Sequence, residues 1–256
     1  MYTCPLCLNN VKELRISHAI PRARFAALTR NSSGQAYHLS PTELTEKLSQ
    51  ESGASRMLCD ECEHLLNDRY ENYTSKILFG RSSKRMEFKD GIRLSDVDLG
   101  KLNHYMLAVF WRSMISDNPF YRAVPRLGLD EIEELRNYLY ANIAIPRPAF
   151  ATKIFRLTMK GVKLPEDISE AMMISPCIQK KNNSHIAVFV YGGYLFEKYL
   201  YCYGTTDRAK SGLIYKNKRN MLVPNTDVRD HRFLWESLTK LWREFSPHSE
   251  NNIEKA

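Results

Sequence analysis

Apolar and polar residues alternate over Leu14-Arg15-Ile16-Ser17-His18-Ala19-Ile20, the two-residue period of a pleated strand, and Pro21 ends the run because proline cannot continue a hydrogen-bonded ladder. Past Cys62 the period lengthens. Leu66, Tyr70, Tyr73 and Ile77 recur at helical spacing, and Gly80 with Ser82-Ser83-Lys84-Arg85 closes that helix. The polar stretch from Thr29 to Ala54 between them reads as a surface insertion, with a modest helical pattern from Ser40 to Leu48. Downstream, Ser95-Asp96 offers a cap to a helix carrying Leu99, Leu102, Met106, Val109 and Phe110, and a second helix runs from Leu129 to Ile145, ahead of Pro146 and Pro148. From Lys153 the period returns to two. Ile154 to Met159, Ile186 to Tyr191 and Tyr194 to Cys202 read as strands, with Gly192-Gly193 as a hairpin turn. A last helix, Arg229 to Phe245, presents Leu234, Leu238, Leu241 and Phe245.

These elements predict an α+β protein in two parts. Residues 1–80 form a small N-terminal module interrupted by the insertion at 29–54, and residues 81–256 form a domain of helices packed on an antiparallel sheet. No apolar run approaches the roughly 20 residues of a membrane span, which excludes a transmembrane helix. The first residues lack the basic and apolar regions of a secretory signal, so the expected compartment is the cytoplasm.

The formal net charge of +8 points to an anionic partner. Residues 1–80 hold nine basic and nine acidic side chains, so the excess lies downstream. It concentrates in Lys180, Lys181, Lys198, Arg208, Lys210, Lys216, Lys218 and Arg219, among Tyr191, Tyr194, Tyr199, Tyr201 and Tyr203. That mixture suits stacking on nucleic-acid bases, and equally a solvated face over a core of strand tyrosines. Trp111-Arg112, Trp235 and Trp242 read as helix-packing positions.

Four of the six cysteines form two Cys-x-x-Cys pairs, Cys4/Cys7 and Cys59/Cys62. In a reducing compartment such turns each aim two thiolates at one point, so the two pairs together predict one closed, tetrahedral structural Zn²⁺ site. The long loop between them adds only a logarithmic entropy cost.

Cys4-Pro5-Leu6-Cys7, then Ser17-His18-Ala19-Ile20-Pro21 at a strand end, then Leu58-Cys59-Asp60-Glu61-Cys62-Glu63 opening a helix, resemble the zinc-containing members of the HNH (ββα-metal) endonuclease family. The resemblance covers about the first 80 residues. It implies metal-dependent hydrolysis of phosphodiester bonds, with His18 as the general base that activates water and a Mg²⁺ or Mn²⁺ ion held against the scissile phosphate. Family members often carry an acidic residue or a histidine where this chain has Ser17, and a histidine where it has Glu63. Glu63 is then either an oxygen ligand in place of that histidine or a carboxylate on a helix N-terminus, and Asn67 and Glu71 follow it on a polar stripe. Arg22 and Arg24, just past His18, together with Lys216, Lys218 and Arg219, are the candidate phosphate contacts. The expected partner is nucleic acid, DNA rather than RNA. Two other readings stand beside the enzyme: a non-catalytic zinc-stapled module that binds nucleic acid or protein, and, by family analogy alone, the nuclease subunit of an anti-phage defence complex with an ATPase partner.

Overall fold

In the computed structural model, two short strands, β1 (Tyr2–Thr3) and β2 (Asn10–Val11), pair antiparallel around the first cysteine pair. The predicted strand forms as β3 (Arg15–His18), and Pro21 is followed at once by helix α1 (Arg22–Asn31). The structure describes residues 1–31, 36–39, 46–49, 53–80, 82–122, 124, 127–145, 151–165, 168–169, 172–181, 184–200, 214 and 218–245. The stretch read as an insertion contributes β4 (Ala36–Leu39) and β5 (Glu46–Ser49), an antiparallel pair. Glu46, Lys47 and Leu48 are therefore extended, where a helical pattern was expected; the rest of that pattern lies outside the described residues.

β6 (Ala54–Leu58) runs antiparallel to β3, with His18 opposite Ala54 and Ser17 opposite Ser55. Cys59 caps the helix that follows, α2 (Asp60–Leu66), whose first turn carries Asp60, Glu61 and Glu63 at the positive end of the dipole. One wide π-turn, Asn67–Glu71, joins α2 to α3 (Asn72–Leu78). The predicted stripe shifts there. Leu66, Tyr70 and Ile77 are buried as expected, but Thr74 rather than Tyr73 continues the buried face, because a π-turn holds one more residue than an α-turn.

The remaining strands are β7 (Arg85–Phe88), β8 (Gly91–Leu94), β9 (Thr152–Met159), β10 (Val162–Lys163), β11 (Met173–Lys181), β12 (Ser184–Tyr191), β13 (Tyr194–Leu200) and β14 (Met221–Asp227). With β4 and β5 they form one sheet in the order β5-β4-β11-β12-β13-β9-β14-β8-β7, with β10 beside β9. The sheet is mixed rather than purely antiparallel, since β4 pairs parallel with β11 and β14 pairs parallel with β9. Helices α4 (Leu99–Ile115), α5 (Leu129–Tyr140) and α6 (Arg232–Phe245) form where three helices were expected, but α5 ends at Tyr140 rather than Ile145, and Val228–Asp230 is a separate 3-10 turn ahead of α6. The cap of α4 is Asp98, which accepts from the Lys101 amide, and not the Ser95-Asp96 pair.

Alternate residues of β12 point to two cores. Ala187, Phe189 and Tyr191 join the core that also contains α4, whereas Ile186, Val188 and Val190 join one closed by Leu234 and Leu238 of α6. Burial on both faces is why this strand reads as a nearly unbroken apolar run. The larger core continues from Cys4, Leu6 and Leu66 through α4 and α5 to Met221 and Val223, so apolar packing runs unbroken past Gly80. Among the described residues, no helix is long and apolar enough to cross a membrane.

Candidate metal centre and the histidine site beside it

The sulfurs of Cys4, Cys7, Cys59 and Cys62 lie within 4.8 Å of one another. Two turns bring them there. In the first, the Leu8 amide donates to the Cys4 carbonyl and the Cys4 amide to the Asn9 carbonyl, with Leu8 itself in the left-handed region at φ 62°. In the second, the start of α2 carries Cys59 and Cys62, and the Cys59 amide donates to Cys4 Sγ at 3.3 Å. A neighbouring Cys62 thiol draws the Cys4 thiol down to about 4, while burial pushes Cys59 up to about 12 and the Cys4 contact raises Cys62 further. Cys4 thus ionises readily while Cys59 and Cys62 resist, as expected where thiols crowd together. Such a donor set fits a metal ion such as zinc, whose charge favours deprotonating every ligand. Arg136 of α5 backs this turn, donating to the Leu6 carbonyl at 2.7 Å.

The same strand–strand–helix unit carries a second site. His18 closes β3 and is partly buried, its ring 5.9 Å from that of Phe25. Burial lowers its pKa below the ordinary 6.5, Arg22 lowers it again, Glu63 opposes, and Arg112 adds a smaller push downward, so the imidazole is neutral at neutral pH. Next to it Ser17, fully buried, donates its hydroxyl to Glu63 Oε2 at 2.7 Å. Ser17 and Glu63, distant in sequence, are thus each other's partner.

Glu63 also faces Arg112 of α4, with Oε1 3.8 Å from Nη1. Arg112 is only 1% exposed and pairs in addition with Glu71. The π-turn makes this double pairing possible. Eight steps of a regular α-helix would leave Glu71 about 80° away from Glu63, and one extra residue in a turn takes back about 100°, returning both carboxylates to one side. Asn67 sits at the start of that turn.

Residues that the sequence did not mark hold the unit in place. Ser55 shares a 2.8 Å hydrogen bond with Ser116, Asn118 donates to the Ala54 carbonyl at 2.9 Å, and the Ile20 amide donates to the Tyr121 hydroxyl at 3.4 Å. Arg112 could have been noticed as the lone cation in Leu107-Ala-Val-Phe-Trp-Arg-Ser-Met-Ile115, since a charge in so apolar a helix needs a buried partner. Ser116, Asn118 and Tyr121 carry no such signal.

The candidate phosphate contacts do not gather. Arg22 is exposed beside His18, whereas Arg24 lies over the Phe79 ring, 4.4 Å from its centroid. Arg219 pairs with Asp96 at 2.5 Å, Lys218 is exposed beside it in sequence, and Lys216 lies outside the described residues. Tyr191, Tyr194 and Tyr199 are buried in the sheet cores, which settles those three as strand packing; Tyr201 and Tyr203 lie outside the described residues. Lys198 is likewise buried, its ammonium donating to Thr152 at 3.0 Å. Comparison with protein-family models, with curated proteins and with solved structures finds no match.

Proposed function

We propose that this chain is a metal-dependent endonuclease of the HNH type that hydrolyses phosphodiester bonds in nucleic acid, DNA above RNA, with His18 as general base. One observation carries the reading: a strand ending on His18 pairs with a strand that leads through Cys59 into a helix, and Glu63 of that helix bonds to the residue beside the histidine. Neutral His18 takes the proton from the attacking water, and its depressed pKa keeps it ready to do so. Ser17 and Arg112 fix the Glu63 carboxylate, and Arg22 at the mouth of α1 attracts the phosphate. Glu63 would offer an oxygen donor to a Mg²⁺ or Mn²⁺ ion, which commonly completes its shell with water and phosphate oxygens. Such an ion, when bound, stabilises the charge developing on the phosphate and on the leaving oxygen.

The Glu63–Arg112 pair favours a second reading, in which the carboxylate is already neutralised and the zinc-stapled unit only binds. Incubation of supercoiled plasmid with the full chain and Mg²⁺ or Mn²⁺ separates the two. An active nuclease loses roughly 10² to 10⁴ in rate on His18→Ala while folding and retaining zinc as before. No cleavage by the parent chain, or equal cleavage by His18→Ala, sinks the catalytic reading.

A further inference from the structure

A cleft of about 140 Å³ opens between the α1/α3 face and the sheet, away from both sites described above. Arg24, Arg85, Arg156 and Lys163 line it, and among the described residues no carboxylate does. Among the described residues, Glu87 is the acid bonded to this group: it pairs with Arg85 at 2.8 Å and with Arg156 at 3.1 Å, serving two guanidinium groups at once. Arg24 and Lys163 form no ion pair with any described residue. Among the described residues, four cations face one carboxylate around a small space, a repulsive arrangement that an anion would relieve.

The details favour an oxyanion. Arg156 is buried and held rigid, donating to Asn225 at 2.8 Å and to the Phe88 carbonyl at 3.1 Å, which leaves part of its fork unused. Arg85 Nε is buried and has no hydrogen-bond partner among the described residues. The bare hairpin Gly192-Gly193 lines the cleft in left-handed conformations of φ 58° and 77°. A Cβ on Gly192 would stand 2.6 Å from Phe79, and one on Gly193 3.1 Å from Ser169, so a side chain at either would crowd the packing here.

We propose that this cleft binds a phosphate monoester and, resting on the nuclease reading above for its source, one belonging to a nucleotide, either free or at the end of a strand. A monoester carries about −1.5 to −2 charges at neutral pH, against one for a phosphodiester, and so matches the surplus better. The volume admits one such group, being close to the roughly 150 Å³ in which a cavity can hold a benzene ring. The site is separate from His18. Arg22 lies beside the histidine, and Arg24 follows two residues later, about 200° further round α1, so the cleft lies on the far side of that helix.

The test is isothermal titration of the full chain at low salt with a nucleoside monophosphate, its parent nucleoside and inorganic phosphate. Two single-stranded oligonucleotides that differ only in a 5′-phosphate serve as competitors. The monophosphate should bind at least tenfold tighter than the nucleoside. Arg24→Gln and Lys163→Gln, both on exposed or partly exposed positions, should each weaken it about tenfold with unchanged thermal unfolding, and His18→Ala should leave it unaltered. Competition by the phosphorylated strand alone identifies a strand end as the source, and competition by neither strand identifies a free nucleotide. Equal binding of nucleoside and monophosphate, no binding of either, affinity indifferent to both substitutions, or equal competition by the two strands would overturn the proposal.

Discussion

The cysteine cluster closes on itself, because two turns of chain supply every donor that a tetrahedral ion needs. The histidine site, mounted on the same β3–β6–α2 unit, does not. Its carboxylate takes one hydrogen bond from within the unit, from Ser17, and its balancing charge from Arg112 on α4, a helix outside it. The first site is therefore a property of local sequence, and the second a property of how two parts of the chain pack. Metal removal should threaten the fold of the unit, whereas disturbing α4 should reach the histidine site and leave the cluster's ligands untouched.

The largest effect expected is loss of the metal. Structural Zn²⁺ contributes on the order of 10 kcal/mol in small zinc domains, and here the ligands Cys4, Cys59 and Cys62 belong to the main core. Elemental analysis of the purified chain should find one zinc, and a strong chelator or Cys59→Ser should remove the cooperative thermal transition of the β3–β6–α2 unit. A metal-free chain that melts at the same temperature would erase the contrast between the two sites.

Next comes Arg112. Its replacement by Met keeps the bulk of the side chain but leaves Glu63 and Glu71 facing one another without their shared cation. Breaking a buried ion network from one side costs about 3–5 kcal/mol, so a Tm lower by on the order of 10 °C is expected, with zinc content unchanged. Adding Glu71→Gln should restore part of that loss. If it does not, Arg112 stabilises by packing rather than by charge.

The contrast also explains what could be read from the sequence. Cys-x-x-Cys turns and the strand ending at Pro21 announce themselves because metal geometry and the β-ladder constrain neighbouring residues. Helices α4, α5 and α6 and the hairpin at Gly192-Gly193 follow from local periods in the same way. The link from Glu63 to Arg112 joins distant residues and leaves no local pattern, and the π-turn that aligns Glu71 depends on packing against α4. Strands β4 and β5 were missed for a related reason: their edge position on β11 is a tertiary fact, and the polar sequence around them resembles any surface loop. In β12, burial on both faces hid the side-to-side alternation that would have assigned its two cores.

A smaller effect distinguishes two serines of the paired strands. Ser17 donates to a carboxylate and Ser55 shares a bond with another hydroxyl. Hydrogen bonds to charged groups contribute about 1.5–3 kcal/mol and neutral ones about 1, so Ser17→Ala should lower the denaturant midpoint more than Ser55→Ala. The reverse order would mean that Glu63 takes its support from Arg112 and water alone.

The smallest effect expected is the pH dependence contributed by His18. Its folded pKa lies below 6.5, mainly through burial, so as pH falls past 6.5 the unfolded chain takes up a proton that the folded chain does not. Stability is then fully present above pH 6.5 and declines as pH drops towards the depressed folded value, below which no further change comes from this group. His18→Gln should remove that component of the slope, visible as the difference between the two proteins' unfolding free energies between pH 7 and pH 5. Since Arg22 also lowers the histidine pKa, Arg22→Gln should shrink the same component without abolishing it. Catalysis by His18 as base would follow the same titration, with kcat/KM flat from neutral pH to below the ordinary histidine value before it falls. Matching midpoints for the stability and rate profiles would tie both to one imidazole, and a rate profile unmoved by Arg22→Gln would detach the base from His18.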